Sequence, residues 1–492
     1  MKPIITALVF LLPAFSPVEA QKEAVPSSGC MEACLQLAGG FGSLAYFPGN
    51  SNLTVWDEKQ QEAQSACRVQ PTTTEDVSNI LHILLDASCR FAVKGGGHAR
   101  DPDDSVSVGG VTIDMQKMRS IEVSADRLSV KLDSGHVLHS MYVGLENYNL
   151  TTLGGRVADV GLGGFALGGG FSALSPMYGL AMDNIFEYEL VLPNATVRTI
   201  NDQTHPDLYF ALRGGMNNFG IVTHFTIRAV PQGQMHGGSR IYSVDKREDI
   251  LEQAYQLTTT WKNDTAMAFY YRFEYDQEAD DFILGMNQEY AHPISNPPPF
   301  RQVNEVPFES STLRIDWPSN FSVEGISPSG GRNLYATVTY YPSADLDRKM
   351  QDILMEEIQP IKDIPGFTPS LVIQPLYEAA IRANSERGGS AAGIEADGPL
   401  TVVLFNTRWN NGADDSAINA LAGRWVQRAI DAAQKAGKHH PWLYINYASK
   451  DQEPFSGYGE ANLRRLRDIQ KRMDPQGIFT STGLCRGYFK LI

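Results

Sequence analysis

The segment Lys94-Gly-Gly-Gly-His98-Ala-Arg100 constrains the fold of this chain more than any other stretch. Residues 90–93 ahead of it are short and largely apolar, and read as a buried strand, so the glycines turn the chain at a strand's end. Without a Cβ, successive glycines reach positive φ and let the backbone approach a bulky ligand closely. Consecutive free N–H groups in such a turn form a nest for an anion. A histidine directly after the nest reaches whatever the anion is attached to. The heptapeptide alone also allows a solvated surface turn.

A second glycine-rich stretch, residues 154–171 (GGRVADVGLGGFALGGGF), weighs against that alternative. Its glycines are too dense and too irregular for a strand or a long helix, and suit loops that pass close to a flat, extended ligand. Within it, Gly161-Leu-Gly163-Gly-Phe-Ala166 matches the G-x-G-x-x-A fingerprint, and Asp183 follows about twenty residues on, as a nicotinamide-binding Rossmann unit requires. Two features oppose that reading. Residues 154–160 are not a clean buried strand, and glycines continue through Gly168, Gly169 and Gly170, where the helix should run.

At 492 residues the chain exceeds one ordinary core, so two domains are expected. The net charge is −15 with no cluster of Lys and Arg, which argues against nucleic acid or an anionic membrane as partner. Lys2, the apolar run 4–15 and Val18-Glu-Ala20 read as a secretory signal peptide over residues 1–20. Neither that run nor any later one is long and apolar enough to span a bilayer. A secreted or lumenal protein is the expectation.

Five cysteines suit that compartment, and an odd number leaves one thiol unpaired. Spacing does not determine the pairing; Cys30–Cys89 and Cys34–Cys67 are favoured, with Cys485 free. No metal site is expected: C-x-x-C is absent, and His136 and His139 read as an exposed helix face. Asn52, Asn149, Asn194, Asn263 and Asn320 head sequons compatible with glycosylation.

Val77, Ile80, Leu81, Leu84 and Leu85 recur at helical spacing behind a cap-like Thr-Thr-Thr-Glu-Asp, predicting a helix before the first glycine loop. After residue 233 the glycine loops stop. Long helical patterns (246–261, 344–361, 414–436) then alternate with strands (269–275, 333–341, 400–409). That is α+β, an antiparallel sheet with helices on one face. Residues 442–447 look like an aromatic strand, and 458–473 like a terminal helix. The expected divisions are a signal peptide at 1–20, an N-terminal segment at 21–62, and three further parts at 63–233, 234–440 and 441–492.

Taken in order, KGGGHAR, GGVTIDM, GGRVADVGLGGFALGGGFS, YGLAMDN, PDLYFALRGGMNNFGIVT and the late YINYASKDQ resemble the berberine bridge enzyme group, secreted fungal type, of the vanillyl-alcohol oxidase superfamily. The resemblance covers about 67–223 and 444 to the C-terminus, and the middle third matches only in general character. It implies a two-part PCMH-type FAD-binding domain at 63–233, a substrate domain at 234–440, and a C-terminal segment that returns to the FAD domain.

It also implies FAD, linked covalently through His98 alone, because Val157 stands where some relatives carry a second, cysteinyl link. The backbone of Gly95, Gly96, Gly97, His98 and Ala99 would hold the pyrophosphate, with Lys94 near the phosphates. Gly155, Val160, Gly163 and Gly164 would pass the isoalloxazine, and Gly220, Ile221 and Val222 the adenosine end. Asn446 would touch the flavin, and Tyr447 would take the substrate's proton. A tyrosine needs a cationic or stacked neighbour for that task near neutrality.

By alternation Tyr444 would face away and pack, while Tyr178 either borders the flavin or packs in a turn. Gly388-Gly389-Ser390 replaces a G-G-N run, which would remove a substrate-facing amide. The implied activity is an oxidase passing substrate hydride to flavin N5 and electrons to O2, giving H2O2, on a natural-product intermediate or a sugar or alcohol. A flavin-containing cyclase or isomerase is the alternative, and a scaffold without catalysis a third.

Overall fold

The computed structural model describes residues 26–49, 52–396 and 398–491; the signal-peptide reading of 1–20 lies outside them. The first glycine loop leaves a small four-stranded sheet, ordered Ala45–Tyr46, Cys67–Val69, Val111–Asp114, Phe91–Lys94, whose last three strands run parallel. Helix Thr74–Asp86 starts at a capping box between Thr73 and Asp76 and buries Val77, Ile80, Leu81 and Leu84. That is the apolar face read from the sequence, and the reciprocal cap satisfies two of the helix's orphan N–H groups. Cys30–Cys89 and Cys34–Cys67 are the disulfides, and they staple helix Ser28–Phe41 to this layer; Cys485 is free and buried.

A five-stranded antiparallel sheet follows, ordered Ile121–Val123, Ser129–Asp133, Ile221–Arg228, Ile185–Val191, Val197–Ile200. The two glycine loops meet backbone to backbone. A Cβ on Gly96 would lie 2.4 Å from Gly161 N, and one on Gly161 would lie 2.1 Å from Gly96 N. Only glycine at both positions permits this approach.

The largest sheet is antiparallel. Its central order is Met235–Ser243, Asp281–Tyr290, Met267–Asp276, Ser370–Leu376, Leu400–Trp409, Arg332–Tyr340. Helices Arg247–Thr259, Ala344–Ile358 and Asp415–Lys435 accompany it. On the apolar face Phe405 stacks on Trp425, and the buried Asp347 accepts hydrogen bonds from Tyr271 and Tyr340. Period-two alternation turns Tyr270, Arg272, Asn287, Glu289, Gln374 and Asn406 to the opposite face. The expected α+β arrangement is therefore present, and its polar sheet face is the part that matters for the site.

The C-terminal segment packs back on the earlier sheets: Gln470 Nε2 donates to Asn218 O, Arg465 and Arg472 pair with Asp207, and Phe479 meets Phe91 edge-on. Two expectations are corrected. Residues 442–447 form no strand; the chain turns there, with Tyr447 N donating to Tyr444 O at 2.8 Å. His136 is buried ahead of helix Leu138–Glu146, its ring nitrogens at hydrogen-bond distance from Ser140 Oγ and Ser120 O. Among the described residues no helix is long and apolar enough to cross a membrane. The five sequon asparagines are all exposed.

Candidate active site

A cavity of about 280 Å³ lies where the two glycine loops, the start of strand Ile221–Arg228 and the turn after Tyr444 converge. Gly95, Gly96, Gly97, His98, Ala99, Gly155, Val160, Gly163, Gly164, Gly220, Ile221, Val222, Asn446 and Tyr447 all line it. Lys94 does not. Val93 faces the cavity, so the strand's alternation sends Lys94 to the other side. There its ammonium is 1% exposed and 3.0 Å from Asp114, which also binds Arg68. Burial draws the Lys94 ammonium below its ordinary range, with Asp114 pulling the other way. Its charge serves the core and not the phosphates.

The cavity fits a large flat anion. Gly97 takes φ +77, and among the described residues the N–H groups of Gly96, Gly97, His98 and Ala99 meet no protein acceptor. Such a row of free donors is an anion nest. A Cβ on Gly95 or Gly163 would make only ordinary contact with Ser134 O, and one on Gly164 would meet nothing within 4 Å. Protein packing does not require glycine at these three positions, so the space they keep open belongs to a ligand.

His98 stacks on Trp56, ring centroids 4.3 Å apart and planes 11° from parallel. Its Nε2 lies 3.3 Å from Asp159 Oδ1, within ion-pair reach but out of line for a hydrogen bond. Burial pushes the Asp159 carboxyl up, yet the adjacent imidazole outweighs this and holds it below its usual range. Carboxylate and stacked indole fix the ring, and Nδ1 has no hydrogen-bond partner among the described residues.

Sequence reasoning missed Arg156. Its Nη2 donates to the Tyr447 hydroxyl at 2.8 Å and its Nη1 to Gln374 Oε1 at 2.5 Å, while its Cζ sits 4.1 Å from the Tyr270 ring centroid. Burial opposes the charge, but the surrounding tyrosines and Glu289 more than offset it, so the guanidinium stays ionised. It is a cationic neighbour of the kind expected beside a tyrosine that takes a proton. The sequence signal for it is its place in Gly155-Arg156-Val157, beside the position where some relatives carry a second flavin link.

Tyr444 does not face away. Its hydroxyl accepts from Gly170 N and Asn446 Nδ2, and its ring meets Tyr447 edge-on at 4.7 Å. Burial pushes that hydroxyl far above the ordinary tyrosine range, so it stays neutral and positions Asn446. Because the backbone turns here, strand alternation never applied.

A second cavity, about 730 Å³, opens between this centre and the polar sheet face. It shares Gly155, Arg156, Val157, Phe171, Tyr335 and Leu404 with the first, so the two meet at Arg156. Glu289 lines it, and burial lifts that carboxyl to about 7 against the pull of Arg156. Among the described residues, neither cavity wall includes Tyr178 or Ser390. Ser390 is buried on Asn384 Oδ1, and the chamber's amides come from Asn287, Asn333, Gln374 and Asn406 instead.

Residues 65–201 match the FAD binding domain family. An FAD-dependent monooxygenase of Fusarium proliferatum is 32% identical over 440 residues, covering 86% of this chain and 85% of that protein. The bifunctional solanapyrone synthase of Alternaria solani is 25% identical over 489 residues, covering 97% and 93%. Among solved structures, a berberine bridge enzyme-like protein of Physcomitrella patens superposes with TM-score 0.72 at 21% identity, covering 90% of this chain and 96% of that one. Xylooligosaccharide oxidase of Myceliophthora thermophila gives TM-score 0.73 at 19% identity, covering 93% and 99%. These superpositions establish the fold. The Rossmann reading falls with them, since the helix after the fingerprint, Leu162–Leu167, is six residues long and ends at Gly168. Sequence identity over most of both chains, the FAD binding domain and the twin glycine loops together make this chain a member of the FAD-dependent oxidoreductases, with the fold of the berberine bridge enzyme-like proteins.

Proposed function

We propose that this protein is an oxidase that carries FAD on a single bond to His98 and oxidises a natural-product intermediate. The observation that carries the reading is the junction of the two cavities, where Tyr447, Arg156 and Gln374 form one hydrogen-bonded group. FAD, once bound, accepts a hydride and passes the electrons to dioxygen, giving hydrogen peroxide.

The glycine loops would hold the cofactor by backbone donors, and the His98 Nδ1 that protein leaves free is the atom available for the bond. Val157 lines the cavity without a thiol, which limits attachment to one link. A substrate hydroxyl entering from the larger cavity meets the Tyr447 oxygen, which takes its proton. To do so Tyr447 must be a phenolate, and its negative charge before the transfer would face the Arg156 guanidinium at hydrogen-bond distance. Tyr444 and Phe165 O hold Asn446 at the cavity wall. Phe171, Tyr335 and Leu404 give the junction apolar walls. Two disulfides and the lack of a membrane-spanning helix among the described residues support a secreted or lumenal setting.

The solanapyrone synthase among the relatives favours a natural product over a sugar, and several relatives are called FAD-dependent monooxygenases, which supplies a second reading. Anaerobic mixing of the purified protein with a panel of phenolic, polyketide-type and sugar substrates tests the proposal. Bleaching of the flavin by a natural-product compound, followed by stoichiometric peroxide on admitting air, is expected. Labelled oxygen appearing in the product in place of peroxide would establish the monooxygenase, and bleaching by oligosaccharides alone would remove the natural-product assignment.

A further inference from the structure

The larger cavity presents hydrogen-bond donors that protein leaves unused. Gln374 is 4% exposed, and its Oε1 receives both Arg156 Nη1, at 2.5 Å, and the Tyr447 hydroxyl, at 3.4 Å. Two donors on one side fix the orientation of that amide, because the reversed amide would set N–H against N–H. Its Nε2 is left buried on the cavity wall with no partner. Arg272 Nε is a second buried donor without a partner on the same wall.

Arg156 uses one N–H on Gln374 and one on Tyr447, both neutral, and among the described residues no carboxylate forms an ion pair with it. A guanidinium carries five donors, so several remain. Two wall groups act in the other direction. Asn287 Oδ1 is an unpartnered acceptor, though nothing fixes that amide, and turning it presents NH2 instead. Glu289 bears a carboxyl that burial lifts to about 7, against the pull of Arg156, so its protonated form can donate here.

Unpaired buried donors are costly, and a ligand that supplies acceptors removes that cost. A neutral sugar brings hydroxyls that need acceptors as much as donors, whereas the unpartnered groups beside Arg156 and Gln374 are mainly donors. Phe171 and Tyr335 add flat apolar walls beside it. Resting on the oxidase reading above, we propose that the substrate is a planar hydroxy-carbonyl compound: a phenol or enol with a carbonyl or carboxylate oxygen beside its hydroxyl and a conjugated carbon whose hydrogen leaves as hydride. Loss of that hydride and the hydroxyl proton gives a quinone methide or dienone. The carbonyl or carboxylate oxygen is received by Arg156 and Gln374 Nε2 while the hydroxyl faces Tyr447. Arg156 thereby selects the substrate as well as facing the Tyr447 oxygen.

The test is calorimetric titration of the holoenzyme with 2-hydroxybenzoate, 2-hydroxybenzyl alcohol and cellobiose. The first two share ring and hydroxyl and differ in the flanking acceptor. Binding of 2-hydroxybenzoate should be about tenfold or more tighter than that of the alcohol, as expected for a charge-assisted hydrogen bond. Arg156→Gln should bring the two within about twofold, with Arg156→Lys between, since lysine keeps the charge and loses the fork. Should Arg156→Gln fail to fold, Gln374→Glu gives the second reading and should weaken 2-hydroxybenzoate about tenfold by placing a carboxylate against it. Equal affinity for the ring compounds, tighter binding of cellobiose, no binding of 2-hydroxybenzoate, or a preference that survives both substitutions would overturn the proposal. Heat of binding needs no flavin signal, so loss of the His98 link and loss of this preference are separate results.

Discussion

Two glycines three residues apart have opposite roles, and substituting each by alanine separates them. A Cβ on Gly164 meets no atom within 4 Å, and the residue sits inside helix Leu162–Leu167 on the cavity wall. Gly164→Ala should therefore leave the fold intact and gain up to about 1 kcal/mol of helix propensity. In a chain this size that is a rise of about 1–2 °C in melting temperature. The added methyl occupies the space kept for the flavin, so bound flavin per protein should fall.

A Cβ on Gly161 would lie 2.1 Å from Gly96 N, more than 1 Å inside ordinary contact, and the obstacle is backbone on both sides. Gly161→Ala must force the two loops apart, at or above the roughly 1–3 kcal/mol typical of overpacking. Melting temperature and flavin content should both drop. The assay pairs thermal unfolding followed by tryptophan fluorescence with the ratio of flavin to protein absorbance. Full flavin content in Gly164→Ala, or wild-type stability in Gly161→Ala, would refute the assignment of these loops.

Tyr447→Phe should keep the flavin and its spectrum yet slow anaerobic flavin reduction by about 10²–10⁴, the usual share of a general base; an unchanged rate in rapid mixing would remove Tyr447 from proton transfer. Replacing Cys34 and Cys67 by serine opens a cross-link of sequence separation 33, and should cost about 4 kcal/mol in denaturant titration on the chain-entropy account. Burial lifts the Asp347 carboxyl from 3.8 to about 6 in the folded protein. A raised carboxyl favours folding below the unfolded value and loses that contribution as pH climbs through the folded one, a swing of about 3 kcal/mol. Asp183, at about 6, and Asp104 and Glu289, at about 7, act in the same direction. The wild-type melting temperature should thus fall relative to that of Asp347→Asn between about pH 4 and 6, whatever the other groups contribute to both; parallel profiles would contradict this.

Much of the site was legible because local chemistry dictates it. Gly97 needs positive φ, Gly96 and Gly161 need contact without side chains, and helix Thr74–Asp86 announces itself by its cap and its apolar spacing. The strand Leu400–Trp409 was readable to the residue from alternation. What failed depended on tertiary geometry. Lys94 looked like a phosphate partner until strand direction turned it toward Asp114. Residues 442–447 have the composition of a strand, but their polar groups are used in a turn around Tyr444 and Asn446. Arg156 could not be assigned because its partners, Gln374 and Tyr447, stand 218 and 291 residues away in the chain. Ser390 carried weight only on the premise that it faces substrate, and it is bonded to Asn384 inside the fold.

The central claim is a flavin gripped by these loops and bonded to one imidazole, and intact mass after denaturation measures it directly. The purified protein should weigh one FAD, less two hydrogens, more than its polypeptide, fragmentation should place the added mass on the peptide containing His98, and His98→Ala should abolish it. A denatured chain at bare polypeptide mass, or an adduct on any other residue, would contradict the account.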